Sequence, residues 1–289
     1  MIPAGFDYHA PRSVADAVKL LGSLGPDAKL LAGGHSLLPM MKLRFATPSA
    51  LIDLGRIPAL RNIAQSGNEI RIGAMTTEHE ILNSGLLAEK LPLLVEGVGQ
   101  IADPQVRYRG TIGGDICHGD PANDHPALML ALGASFVLTG PKGERVVAAD
   151  GHFLGVYSTV LAADEILTEI RIPIPAPGSG WSYSKFKRKT GDFATAAAAV
   201  LLQMSKGGTV ARAAIALTNV GPTPIKATQA EQYLSGRAID ESSLNEAARL
   251  AMAACSPTHC PRGSPDYKTA MAGEMTRRAL QSALARAKP

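Results

Sequence analysis

Apolar residues recur at Val14, Ala17, Val18, Leu20 and Leu21, the stripe of an amphipathic helix, with Ser13 and Asp16 as a capping pair at its start. Gly25-Pro26-Asp27 then turns the chain into an apolar run over 28–32 that predicts a strand. Residues 36–43 return to helix-compatible composition, and Pro39 restricts that helix to a short or distorted one. Leu51-Ile52-Asp53-Leu54 predicts a second strand and closes a small α/β unit over 1–55.

From residue 56 the period shortens. Ile70 and Ile72 alternate with polar neighbours after Ser66-Gly67-Asn68, which predicts a hairpin over 63–73. Thr77-Glu78-His79-Glu80 reads as a capping box ahead of Ile81 and Leu82. A helix near 91–101 leads to Asp103-Pro104. A second hairpin over 137–147 turns at Gly140-Pro141-Lys142-Gly143, and 165–172 predicts a closing strand. Pro173, Pro175 and Pro177, with Gly178 and Gly180, punctuate the strongest boundary. Beyond it, strands over 196–204 and 210–217 precede two helices, one capped by Ser243-Leu244-Asn245-Glu246 and one from about 267 to 285. The expected division is therefore 1–55, 56–177 and 178–289, an α+β organisation without internal repeats.

Two glycine pairs stand out against this pattern. Ala32-Gly33-Gly34-His35-Ser36 follows the run at Leu30 and Leu31, and Thr111-Ile112-Gly113-Gly114-Asp115 comes about eighty residues later. Each is expected where a strand-like run gives way to a helix-like one. Glycine lets a backbone turn sharply and approach a ligand, and exposed N–H groups there suit a phosphate. Two such loops point to one ligand with two phosphates, gripped from both sides: a dinucleotide.

Composition narrows the partners. With 289 residues, 46% hydrophobic and 19% charged, the chain is a globular protein rather than a disordered one. The net charge of +4 is scattered and aromatics are only 4%, which argues against nucleic-acid binding. The apolar run over 127–138 contains Gly133 and is too short for a transmembrane segment, and no secretory signal opens the chain. Cys117, Cys255 and Cys260 form no CxxC pair, so neither a disulfide scaffold nor a four-cysteine metal site is expected. These readings place the protein in the cytoplasm.

Other patterns are weaker. Gly97-Val98-Gly99-Gln100-Ile101-Ala102 formally matches a Rossmann fingerprint, but Pro104 interrupts the helix that should follow. No GxxxxGK[ST] exists, and Ser36 lacks the elbow of a hydrolase nucleophile. His118, Asp120, Asp124 and His125 could ligate a metal, but Pro121 and Pro126 predict an irregular loop. They read better as loop polars and caps, with Asp124 also placed to hydrogen-bond a ligand. In Lys185-Phe186-Lys187-Arg188-Lys189-Thr190-Gly191-Asp192-Phe193, a solvated face competes with a lysine aimed at an electron-rich ring and Phe193 shielding that ring.

The segments AGGHSLLPMMKLR (32–44), TIGGD with GDPANDHPAL (111–128) and KRKTGDFATAA (187–197) resemble the FAD-carrying medium subunit of molybdenum hydroxylases, nearest to the carbon monoxide dehydrogenase branch. The resemblance spans essentially the whole chain. It implies a two-part FAD-binding region of the PCMH/vanillyl-alcohol-oxidase type, followed by a C-terminal α+β domain of the CO dehydrogenase flavoprotein type. Position by position, it implies that Ala32, Gly33, Gly34, His35 and Ser36 wrap the FAD pyrophosphate, with Lys29 leading in and Leu37 following. It implies that Thr111, Gly113, Gly114 and Asp115 hold the other side. Ile101 and Ala102 fall where the family lines the flavin, His118 and Asp124 where it hydrogen-bonds the cofactor, and Ile166 and Leu167 where it covers the ring. Lys187 matches a lysine near the ring. Phe193 matches a position where relatives often carry tyrosine, so a hydroxyl is missing.

The same resemblance implies a large molybdenum-cofactor subunit and a small [2Fe-2S] subunit as partners in a dimer of heterotrimers. Electrons would pass from the clusters through FAD to a quinone-type acceptor, in the cytoplasm or at the inner face of the membrane. The alternatives are the same subunit in a hydroxylase for aldehydes, purines or N-heterocycles, and a flavin-free assembly module.

Overall fold

The computed structural model describes residues 1–288. The first sheet is parallel, with β1 (Asp7–His9), β2 (Ala28–Leu31) and β3 (Ala50–Asp53) in the order β1-β3-β2. Helix α1 (Val14–Leu24) crosses between β1 and β2; Ser13 caps it by accepting the Asp16 N–H at 3.1 Å. Ala17, Val18 and Leu21 are its buried stripe, clustered with Ala28, Ile52 and Ile166. Helix α2 (Leu37–Lys42) leaves β2 through the first glycine loop. Pro39 sits in its first turn, where a missing N–H breaks no bond.

The second sheet is antiparallel. Strands β4 (Ile63–Ser66), β5 (Glu69–Gly73), β6 (Ser135–Gly140), β7 (Gly143–Ala148) and, after a small hairpin of β8 (Phe153–Gly155) and β9 (Ser158–Thr159), β10 (Ile166–Pro173) take the order β4-β5-β10-β6-β7. Between β5 and β6 run α3 (Glu78–Leu82), α4 (Gly85–Lys90), α5 (Pro92–Val98), α6 (Pro104–Arg109), α7 (Ile112–His118) and α8 (His125–Leu132). The Thr77–Glu80 capping box is present, with the Thr77 N–H donating to Glu80 Oε2 at 2.9 Å. One correction concerns the second glycine pair. It is preceded by helix α6, not by a strand, because Asp103 caps α6 and Pro104 occupies its first turn. Pro126 likewise lies in the first turn of α8 rather than in a loop.

The third sheet holds β11 (Gly180–Phe186), β12 (Ala196–Met204), β13 (Val210–Thr218) and β14 (Ile225–Lys226), all antiparallel. Helices α9 (Thr228–Leu234), α10 (Glu241–Ala253) and α11 (Pro265–Arg286) complete this part. Strand β12 shows why its sequence reads as an unbroken apolar run: both of its faces are buried. Ala197 and Ala199 face the core shared with α5 and α8, while Ala196, Ala198, Val200 and Leu202 face the core shared with α10 and α11. Alanine at the former positions lets α8 lie close on the sheet.

Strand β11 and helix α9 escaped the sequence reading. The cap of α10 is Asp240, which accepts the Ser243 N–H at 2.7 Å, and Ser243 is its reciprocal partner rather than the cap. The outer edge of β11 is covered: Glu96 accepts the Tyr183 N–H at 2.8 Å, Gln100 donates to the Tyr183 carbonyl at 2.8 Å, and Arg286 donates to the Trp181 carbonyl at 2.7 Å. An edge strand satisfied in this way is protected from pairing with another chain. Among the described residues, no helix is long and apolar enough to cross a membrane.

Candidate functional site

The two glycine loops meet. A Cβ on Gly114 would lie 3.3 Å from the Ala32 Cβ, and one on Gly33 would run into the Arg109 carbonyl and come within 2.8 Å of the Gly110 Cα. Only glycine at position 33 permits this approach of two backbones. Gly34 is needed for another reason, its φ of +79°, which L side chains rarely adopt. Around the junction opens a cleft of about 970 Å³, at the upper end of the roughly 300–1,000 Å³ usual for ligand sites.

The loops differ in what they offer. Among the described residues, no acceptor takes the N–H groups of Gly33, Gly34, His35, Ser36 or Leu37. They form a run of backbone donors at the cleft wall, the arrangement that binds an anion. In the second loop, Ile112 N–H donates to the Thr76 carbonyl at 3.1 Å, Gly113 N–H to the Ala74 carbonyl at 2.9 Å and Gly114 N–H to Thr111 Oγ1 at 3.2 Å. The expectation of exposed donors in both loops therefore needs correction. Thr111–Asp115 is tied to the 74–76 turn, and a Cβ on Gly113 would sit 2.5 Å from that of Ala74. The second pair supplies close packing and space, while the first supplies donors.

Of the residues singled out from the sequence, Lys29, Ala32–Leu37, Ile101, Ala102, Thr111, Gly113, Gly114, Asp115, His118, Asp124, Ile166, Leu167 and Phe193 all line this cleft. Lys187 does not; its ammonium donates to the Gln100 carbonyl at 3.3 Å. Burial, and then the charge of Lys185, lowers its pKa. The β11 lysine that lines the cleft is Lys185, and the sequence reading missed its role. The signal was present in Trp181-Ser182-Tyr183-Ser184-Lys185, whose alternation puts Tyr183 and Lys185 on one face of β11. There the Tyr183 hydroxyl donates to Asp124 Oδ1 at 2.5 Å and the Lys185 ammonium to Oδ2 at 2.6 Å.

Beneath the second loop lies a polar pocket. His125 Nε2 pairs with Glu78 Oε2 at 2.8 Å, with the side chains 0% and 3% exposed. Burial alone would lower the His125 pKa, but Glu78 raises it to about 9, so the imidazole is cationic at neutral pH. Asp115 Oδ1 is buried without a partner. Burial pushes that carboxyl up to about 8, opposed by His125 and assisted by Glu78 and Asp124. At the other side, the His118 ring lies 4.9 Å from that of Tyr157, a tyrosine held at φ +57°. Burial lowers the His118 pKa. His118, Asp124 and His125 thus engage protein partners rather than converging on a point. Phe193 is 44% exposed at the rim, with the Arg262 guanidinium 5.2 Å from its ring centroid.

A cleft with a donor-rich loop, an opposed glycine-packed loop and apolar walls at Ile101, Ile166 and Leu167 suits a dinucleotide with an apolar ring, on a frame that is neither a Rossmann nor a P-loop one. The comparisons agree. Residues 4–175 match the family model for the FAD-binding domain in molybdopterin dehydrogenase, and 181–283 match that for the CO dehydrogenase flavoprotein C-terminal domain. The carbon monoxide dehydrogenase medium chain of Hydrogenophaga pseudoflava is 57% identical over 286 residues, 99% of each chain. The solved structure of carbon monoxide dehydrogenase from Hydrogenophaga pseudoflava lacking the Mo-pyranopterin moiety of the molybdenum cofactor contains a chain that superposes with TM-score 0.98 at 58% identity, covering 100% of both. A chain of quinoline 2-oxidoreductase from Pseudomonas putida 86 gives 0.94 at 36%, covering 99% of each. This chain belongs to the family of FAD-binding medium subunits of molybdenum hydroxylases, and within it to the carbon monoxide dehydrogenase medium chains. It is an oxidoreductase subunit.

Proposed function

We propose that this chain is the electron-relay subunit of an enzyme that oxidises carbon monoxide, taking electrons from [2Fe-2S] clusters on a small partner subunit and passing them to a quinone-type acceptor. The observation that carries the reading is the run of unengaged N–H groups from Gly33 to Leu37 at the wall of a cleft large enough for a dinucleotide. Those groups hold the diphosphate of FAD. Thr111 to Asp115 close over it, and Gly33 and Gly114 give the clearance that lets both loops reach it. Ile101, Ala102, Ile166 and Leu167 exclude water from the ring, with Lys185 and Asp124 as its polar neighbours. Bound FAD supplies a ring that takes up electrons singly or in pairs.

The supports for this reading are the family and the relatives' names. In this reading the molybdenum and iron–sulfur chemistry belongs to a large and a small subunit, in a dimer of heterotrimers. The division at 1–55, 56–177 and 178–289 assigns FAD to the first two parts, with Lys185 and Phe193 reaching in from the third. The test is purification of the complex with its co-expressed partner subunits, followed by anaerobic addition of carbon monoxide. The expected result is bleaching of the flavin absorbance and its recovery on adding a soluble quinone. A flavin that stays oxidised under carbon monoxide but bleaches with an aldehyde, purine or N-heterocycle would reassign the substrate.

A further inference from the structure

Three cationic side chains grip one turn, 100–102, of which Ile101 and Ala102 line the cleft. Lys185 Nζ and Lys187 Nζ both donate to the Gln100 carbonyl, at 3.2 and 3.3 Å, and Arg107 donates to the Ile101 carbonyl at 2.6 Å. The turn needs holding, since Ala102 adopts a φ of +43°, a conformation that a residue with a Cβ occupies at a cost. Among the described residues, only Lys185 of the three also has a carboxylate partner, Asp124. The pair is almost sealed, with side-chain exposures of 1% and 5%. Asp124 has one carboxylate oxygen held by Tyr183 and the other by Lys185, yet it still lines the cleft.

A carboxylate at the wall of an electron-accepting site opposes the negative charge that reduction brings. In a low-dielectric site its effect is far larger than in water. A buried ammonium in contact with it cancels that charge. We propose that Lys185 is a positioning residue that neutralises Asp124 and pins the 100–102 turn, so that the flavin end of the cleft stays electrically balanced when electrons arrive. Lys187 and Arg107, which have no carboxylate partner among the described residues, then contribute the net positive field on the same turn. The inference rests on the flavin reading above.

The test is a charge cycle on the assembled complex, read as FAD content and as the midpoint potential of the bound flavin. Lys185→Met leaves Asp124 uncompensated and is expected to shift the reduction equilibrium about tenfold towards the oxidised ring, about 30 mV for a two-electron couple. Asp124→Asn shifts it in the opposite direction. The double variant Lys185→Met/Asp124→Asn, which removes both charges, returns to the wild-type potential, and Lys185→Arg stays near it. A double variant as low as Lys185→Met would overturn the balance and make Lys185 a cation acting on the ring directly. Potentials unchanged throughout would overturn the inference altogether. Should Lys185→Met fail to assemble, the double variant and Asp124→Asn still decide between these outcomes. Wild-type complex without FAD would instead defeat the underlying reading.

Discussion

In the proposed FAD site, Asp115 is the residue at which electrostatics bears most sharply on ligand retention. An ionised carboxylate beside a diphosphate would repel it, but burial holds this carboxyl protonated until about pH 8. The protonated acid carries no charge to repel a diphosphate. Asp115→Asn, isosteric with the protonated acid, is expected to retain FAD in the complex at neutral pH. Wild-type retention, measured as FAD per chain after gel filtration, is expected to fall as pH rises through 8, while the asparagine variant stays flat. The linkage has the same sign: with the folded pKa above the unfolded value of 3.8, the unfolded chain ionises Asp115 first, and stability is lost progressively between pH 3.8 and 8. The place of Asp115 at the cleft was legible in TIGGD. Its protonation was not, because it depends on burial and on the neighbouring Glu78, Asp124 and His125, which only folding brings together around it.

At the scale of elements, legibility followed periodicity. The hairpin over 63–73 and strand β12 were readable because alternation or an unbroken apolar run fixed their period. Strand β11 was not, since Ser182, Ser184 and Lys185 give it a polar look; its inward face is polar because it serves Asp124 and its outer edge is sealed by Glu96, Gln100 and Arg286. The glycines separate the same way. Gly180 lies in β11, where a Cβ would strike the Ala283 carbonyl of α11, whereas Gly22 in α1 has nothing within 4 Å. Gly180→Ala is therefore expected to cost about 1–3 kcal/mol through overpacking, and Gly22→Ala to gain up to about 1 kcal/mol through helix propensity. Chemical denaturation of the two variants checks both signs. Equal effects would mean that the β11–α11 contact is looser than the structure has it.

The whole molecule is arranged so that one cleft draws on each of the three larger sheets: the first brings Ala32–Leu37, the second Ile166 and Leu167, and the third Lys185 from β11. Its loops lie far apart in sequence yet pack backbone to backbone at Gly33 and Gly110. That contact makes the cleft a property of the folded whole, and a bulky residue at Gly34 attacks it at the donor run. The decisive measurement is FAD per chain in purified complex carrying Gly34→Val, compared with wild type. Wild-type complex holding close to one FAD per chain, and an assembled Gly34→Val complex holding nearly none, is the predicted result. Full FAD occupancy in the assembled variant would contradict the diphosphate site at this loop, and with it the electron relay built upon it.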